Sequence, residues 1–169
     1  MRTLLLMRHA KSDWEADFES DHDRPLNHRG TKSARLMGRV LAARGIAPEF
    51  ILSSTAVRAR TTAELAMEAG KWDSGLRLDT ALYESGPQGV LEAAASAPEV
   101  SRLMLVGHQP TWSLLAARLT GEPVEMKTAT VVVIELDLES WSHLPETTGA
   151  LADVLGPASF VGSEWDREH

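Results

Sequence analysis

Three short apolar runs set the limits on what this chain can fold into. They lie in "RTLLLM" (residues 2–7), "PEFILSS" (48–54) and "SRLMLVGH" (101–108). Each is too short for a helix and lacks the strict alternation of a half-exposed strand. Such runs read as strands buried on both faces. Between them the apolar spacing changes to the helical period. Ala34, Leu36, Met37, Val40 and Leu41 form a stripe within a helix predicted from Asn27 to Arg44, with Asn27 as cap and Gly45 as stop. "TAVRARTTAELAMEAG" (55–70), with Thr55 as cap and Gly70 as stop, and "QPTWSLLAARLTG" (109–121), with Pro110 in the first turn, read as further helices. Strands alternating with helices predict an α/β fold: a three-layer α/β/α sandwich around a mainly parallel sheet.

The remaining segments are weaker. Residues 10–27 hold Asp13, Asp17, Glu19, Asp21 and Asp23 and read as a long surface loop. Residues 71–89 are turn-rich, with a short strand around Leu76–Leu78 and a helix over 89–97 following them. "TATVVVIELDL" (128–138) is β-branched and reads as a last strand, expected as an antiparallel edge. From Glu139 the pattern fades: "GALADVLG" (149–156) suggests a short helix, and Trp141 and Trp165 have no assigned place. With no repeat and no low-complexity linker, the expectation is one domain over 1–169.

The net charge of −7 argues against nucleic acid and anionic membranes as partners. No run approaches the roughly 18–20 apolar residues of a membrane span. The apolar run before Arg8 is also too short for the core of a secretion signal, so a cytoplasmic location is expected. The chain has no cysteine, which removes thiolate chemistry and disulfides.

In an open parallel sheet, ligands bind beyond the carboxyl ends of the strands. The first strand ends in Arg8-His9, the second in Ser53-Ser54 before a helix carrying Arg58, and the third in Gly107-His108. Taken singly, each has an ordinary reading as a hydrogen-bonded histidine, an exposed helix charge (Arg58, Arg60) or a cap. Together they put two imidazoles and two guanidiniums at one end of the sheet, with Lys11 at the rim. Arginine offers a rigid fork of donors matched to phosphate oxygens. A neutral histidine can attack phosphorus and carry it covalently. A second, protonated histidine can hold an equatorial oxygen in the transition state. This scheme uses no metal and no cofactor. The rival is a metal site drawn from His9, His22, His28 and His108 with Asp13, Asp21 and Asp23. Against it stand Arg8 beside His9 and the absence of compact ligand spacing.

Four stretches, "LLLMRHAKSDW", "RPLNHRG", "SSTAVRARTTAE" and "LMLVGHQPT", occur in an order that resembles the histidine phosphatase superfamily, the phosphoglycerate-mutase-like or RHG family. The resemblance covers most of residues 3–112. It implies His9 as the phosphorylated nucleophile, with Arg8, Arg58 and His108 completing the phosphate pocket. Arg29 and Gly30 match an element that shapes the turn beside the site. "RHAKSDW", "RPLNHRG" and "LYES" are most similar to the small bacterial branch typified by SixA, which implies a phosphohistidine protein as substrate. A small phosphomonoester is the alternative substrate, and a phosphate-binding module without turnover the alternative function. Lys11 and Ser12 are further substrate-binding candidates. The leaving-group acid of related enzymes has no clear counterpart, since Gln109 follows His108. Glu84 is the candidate by position.

Overall fold

The computed structural model describes residues 1–161, so Trp165 lies outside the described residues. Strand β1 (Arg2–Arg8) sits inside a six-stranded sheet. On one side it runs parallel to β4 (Arg102–Gly107), which pairs in parallel with β2 (Phe50–Ser53), itself parallel to the short β3 (Gly75–Leu78). On the other side it pairs antiparallel with β5 (Val131–Leu136), beyond which β6 (Ala150–Leu155) forms the edge.

Leu4, Leu5, Leu6 and Met7 have no exposed surface. Their side chains alternate between two cores, because successive strand residues point to opposite faces. Leu5 and Met7 meet α1 (His28–Ala43) and α2 (Val57–Gly70). Leu4 and Leu6 meet the opposite layer: the single turn α3 (Ala81–Glu84), α4 (Pro87–Ala94), α5 (Thr111–Thr120) and the 3-10 helix Trp141–Glu146. This is the expected three-layer sandwich. Each fully buried aliphatic side chain contributes about 1.5–3 kcal/mol.

Several local readings change. The 128–138 strand is antiparallel as expected, but the chain that follows covers its edge. "GALADVLG" supplies that covering strand rather than a helix. Eight residues bracketed by glycines are too few to hold a helix alone, and β5 offers a free ladder of donors and acceptors. Trp141 is fully buried and donates its indole N–H to the Val100 carbonyl at 2.8 Å. Helix α2 begins at Val57 without a side-chain cap, since the Thr55 hydroxyl bonds the His22 ring instead. It ends on Lys71 in the left-handed conformation (φ 54°), one residue past Gly70. Helix α4 starts two residues early because Pro87 suits a first turn. The 10–27 segment is no free loop. Ser12 bridges Leu26, Asp13 N–H donates to Pro25, and Asn27 N–H donates to Lys11. Among the described residues no helix is long and apolar enough to cross a membrane.

Candidate active site

The carboxyl ends of β1, β2 and β4 do converge. The His9 backbone N–H donates to the Gly107 carbonyl at 3.0 Å, and Ser54 N–H donates to Val106 at 2.9 Å. Gly107 is required where β4 ends: a Cβ there would lie 2.1 Å from the buried Trp112 ring. Ala10 N–H donates to the Thr62 hydroxyl, which donates in turn to the Arg58 carbonyl at 2.6 Å. The segment after β1 is thereby tied to the first turns of α2. Asn27 caps α1 by accepting the Gly30 N–H at 2.8 Å. Gly30 itself permits a close approach, because a Cβ would stand 2.0 Å from the Lys11 carbonyl oxygen.

Arg8, His9, Lys11, Ser12, Arg58 and His108 line a single cavity of about 360 Å³. The two imidazoles lie 5.2 Å apart, centroid to centroid. His9 Nδ1 is 2.7 Å from the Ala10 carbonyl. A carbonyl only accepts, so Nδ1 carries the proton and Nε2 holds the free lone pair. Burial, with Arg58, Arg8 and Arg24 adding to it against the Ala10 bond, lowers the His9 pKa to about 4. Burial first, then His9 and Arg58, lowers His108 to about 3. Both rings are therefore neutral at neutral pH. The protonated His108 expected from sequence needs a bound anion to oppose these causes. His108 Nε2 lies 2.7 Å from the Ser54 hydroxyl, whose oxygen also accepts the Ala56 N–H.

Arg24 was not among the sequence candidates. It is 5% exposed, stacks its guanidinium 3.5 Å above the Trp14 ring, and lines the same cavity. Its one sequence signal is that it is the only Lys or Arg between Lys11 and Arg29, inside an otherwise acidic segment. Asp21 holds both deep arginines from the rim, its carboxylate accepting from Arg24 at 3.1 Å and from Arg58 at 2.9 Å. The Tyr83 hydroxyl donates to the same carboxylate at 3.0 Å. Burial pushes the Asp21 pKa up, but Tyr83, Arg58 and Arg24 outweigh it and hold the group below its ordinary value. Even so, Arg8 Nε, Arg24 Nε and Nη1, Arg58 Nε and His108 Nδ1 remain buried without a partner. Four unpartnered guanidinium nitrogens around one cavity call for an acceptor-rich ligand.

Glu84 does not join them. It is exposed at the end of α3 and stands outside the cavity wall, because it is the neighbouring Tyr83 that turns toward Asp21 and His108. The metal-ligand set considered from sequence does not assemble either: among the described residues no three His, Cys, Asp or Glu side chains group to hold an ion.

Known proteins share this fold and much of this sequence. Residues 4–86 match the model of the histidine phosphatase superfamily, branch 1. A solved structure provisionally named phosphohistidine phosphatase SixA, from Agrobacterium tumefaciens, is 31% identical with a TM-score of 0.78, covering 92% of this chain and 98% of its own. The chain belongs to the histidine phosphatase superfamily, in its SixA-type group. A provisionally named SixA of Nakamurella multipartitia is 28% identical with a TM-score of 0.79, covering 92% and 96%. An uncharacterised chloroplastic protein of Arabidopsis thaliana is 30% identical across 95% of this chain and 80% of its own length. In this member of the histidine phosphatase superfamily the "RHA" tripeptide is Arg8-His9-Ala10, where the chain leaves β1, and "GHQ" is Gly107-His108-Gln109, where it leaves β4.

Proposed function

We propose that this protein is a metal-independent phosphatase that removes phosphate from a phosphohistidine-bearing protein through a covalent phosphate on His9. The observation that carries the reading is the composition of the cavity wall. Arg8, Lys11, Arg24 and Arg58 stand around two neutral imidazoles, and no carboxylic acid lines it. An alcohol leaving group needs a positioned acid. A departing imidazole, with an ordinary pKa of about 6.5, does not.

In the first half-reaction the His9 Nε2 lone pair forms a bond to phosphorus as the substrate's P–N bond breaks. The departing imidazole takes its proton from solvent. Arg8, Arg24 and Arg58 hold the phosphoryl oxygens, and their fixed positions remove the cost of reorganising solvent. In the second half-reaction water attacks phosphorus, the bond to His9 breaks, and the water's proton leaves by way of His108. The charge of the phosphoryl group opposes the burial and repulsion that keep His108 neutral, so the ring can take up that proton. Lys11 and Ser12 contact the substrate at the mouth.

The test is steady-state turnover of three substrates with chelator present throughout: a phosphohistidine protein, an activated aryl phosphate and an alkyl phosphomonoester. The phosphohistidine protein is expected to show the highest kcat/KM, unchanged by the chelator. A faster alkyl ester would make the protein a small-molecule phosphomonoesterase. Phosphate binding without any turnover would make it a binding module.

A further inference from the structure

A second cavity, of about 520 Å³, is a neighbour of the one just described and shares Thr128 with it. Its polar wall carries Arg29 and Lys32 from the first turns of α1 and Lys127 from the segment before β5. Its apolar wall is Pro157, Ala158 and Val161. The two cavities abut because Gly30 lets α1 pack directly on Lys11, and because Ala129 N–H donates to the Arg8 and His9 carbonyls.

The charge of this second cavity is out of keeping with the rest of the surface. The chain carries a net charge of −7, yet among the described residues no carboxylate lines this wall. Five arginines elsewhere have a carboxylate partner: Arg2 with Glu99, Arg44 with Asp153, Arg60 with Glu64, and Arg24 and Arg58 with Asp21. Arg29, Lys32 and Lys127 have no such partner among the described residues. Helix α1 makes the imbalance greater. Its first turn holds no acidic residue, so two cationic side chains sit against the positive end of the helix dipole. That placement costs stability, and an anion in the cavity reverses the sign of the effect. The cavity volume falls in the range of ordinary ligand pockets.

From this charge complementarity we infer that the second cavity is a docking subsite for an acidic stretch of polypeptide beside the phosphohistidine, its carboxylates on Arg29, Lys32 and Lys127 and an apolar side chain on Pro157 and Ala158. The inference rests on the function proposed above and narrows the substrate to phosphoproteins whose target histidine has acidic neighbours. Attraction across such a rim is screened by salt.

The experiment uses the double variant Lys32→Gln/Lys127→Gln and two unphosphorylated peptides, one glutamate-rich with a leucine and one with glutamines replacing its glutamates. Binding is measured by titration at low and high salt, and turnover of an aryl phosphate is followed in parallel. The wild type is expected to bind the acidic peptide at least tenfold more tightly than the double variant does, with the difference shrinking at high salt. The glutamine peptide should bind neither. Aryl phosphate turnover should stay within twofold. Equal or absent binding of the acidic peptide by both proteins would overturn the subsite. So would inorganic phosphate displacing the peptide through Lys32 and Lys127 at lower concentration than it inhibits turnover, since that would mark a second phosphate site. Peptide binding that behaves as expected beside an enzyme that turns over no phosphorylated substrate would leave the subsite standing and overturn the phosphatase reading.

Discussion

The two ends of β1 carry the same residue in opposite circumstances. At the amino end, Arg2 pairs with the Glu99 carboxylate at 2.7 Å, donates to the Val100 carbonyl at 3.0 Å and lies 5.6 Å from the Trp141 ring centroid. At the carboxyl end, Arg8 donates to the Met126 carbonyl at 3.1 Å, leaves Nε buried without a partner and has no carboxylate. Burial alone lowers its pKa. One guanidinium is used up by the fold. The other is held in place but left incomplete, and a buried incomplete donor is a cost that the fold does not recover. The difference marks the carboxyl end of the sheet as the end where the fold leaves donors free for a ligand, which is the working end of the proposed reaction.

Removing the nucleophile should have the largest effect on that working end: His9→Ala should abolish turnover while circular dichroism shows the fold retained. Substantial remaining turnover would take the chemistry away from His9. Next come the arginines. Arg8→Ala and Arg58→Ala should each lower kcat/KM about 10- to 100-fold, a hydrogen bond to a charged group being worth about 1.5–3 kcal/mol. Arg2→Ala should leave kcat/KM within twofold and lower the thermal midpoint instead. Arg8→Ala should not lower that midpoint, because it deletes a buried donor the fold leaves unsatisfied. If both variants lost activity equally, the contrast between the two ends would fail.

A smaller effect concerns pH. The unfolded chain binds protons on its histidines at about 6.5, whereas His9 and His108 take them up in the folded chain only near 4 and 3. Their share of stability is thus intact above about pH 6.5 and is lost as the pH falls toward 4. Chemical denaturation at pH 7.5 and pH 5 should show a larger loss for the wild type than for His108→Ala. The acid limb of kcat/KM should likewise lie below pH 6.5. A limb at or above 6.5 would mean that His9 is not buried and neutral as described. The smallest effect is expected of Glu84→Gln, within twofold on both aryl and alkyl phosphates. A selective loss on the alkyl ester would return Glu84 to the acid role its position suggested.

The working end was also the legible end. Arg8, His9, Arg58 and His108 could be read because each sits one or a few residues past a buried apolar run, and the topology of a parallel sheet gathers such positions. Arg24 was not legible, because it reaches the cavity from a segment with no periodicity, placed by Ser12–Leu26 bridging and by stacking on Trp14. The pairing of Asp21 with two arginines was hidden for the same reason. A cluster of acidic residues reads as solvated until the fold shows which one turns inward. The strand at 150–155 was missed because its hydrogen-bond partner, β5, lies on the far side of the Trp141–Glu146 helix in sequence. Nothing in eight local residues announces an edge awaiting cover.

The most direct measurement of the central claim is rapid acid-free quenching in alkali of the wild type mixed with a 32P-labelled phosphohistidine protein, followed by peptide mapping. The account predicts label that is stable to base, labile to acid, confined to the peptide containing His9 and absent from His9→Ala. Turnover with no label at any quench time, or label on another residue, would contradict it.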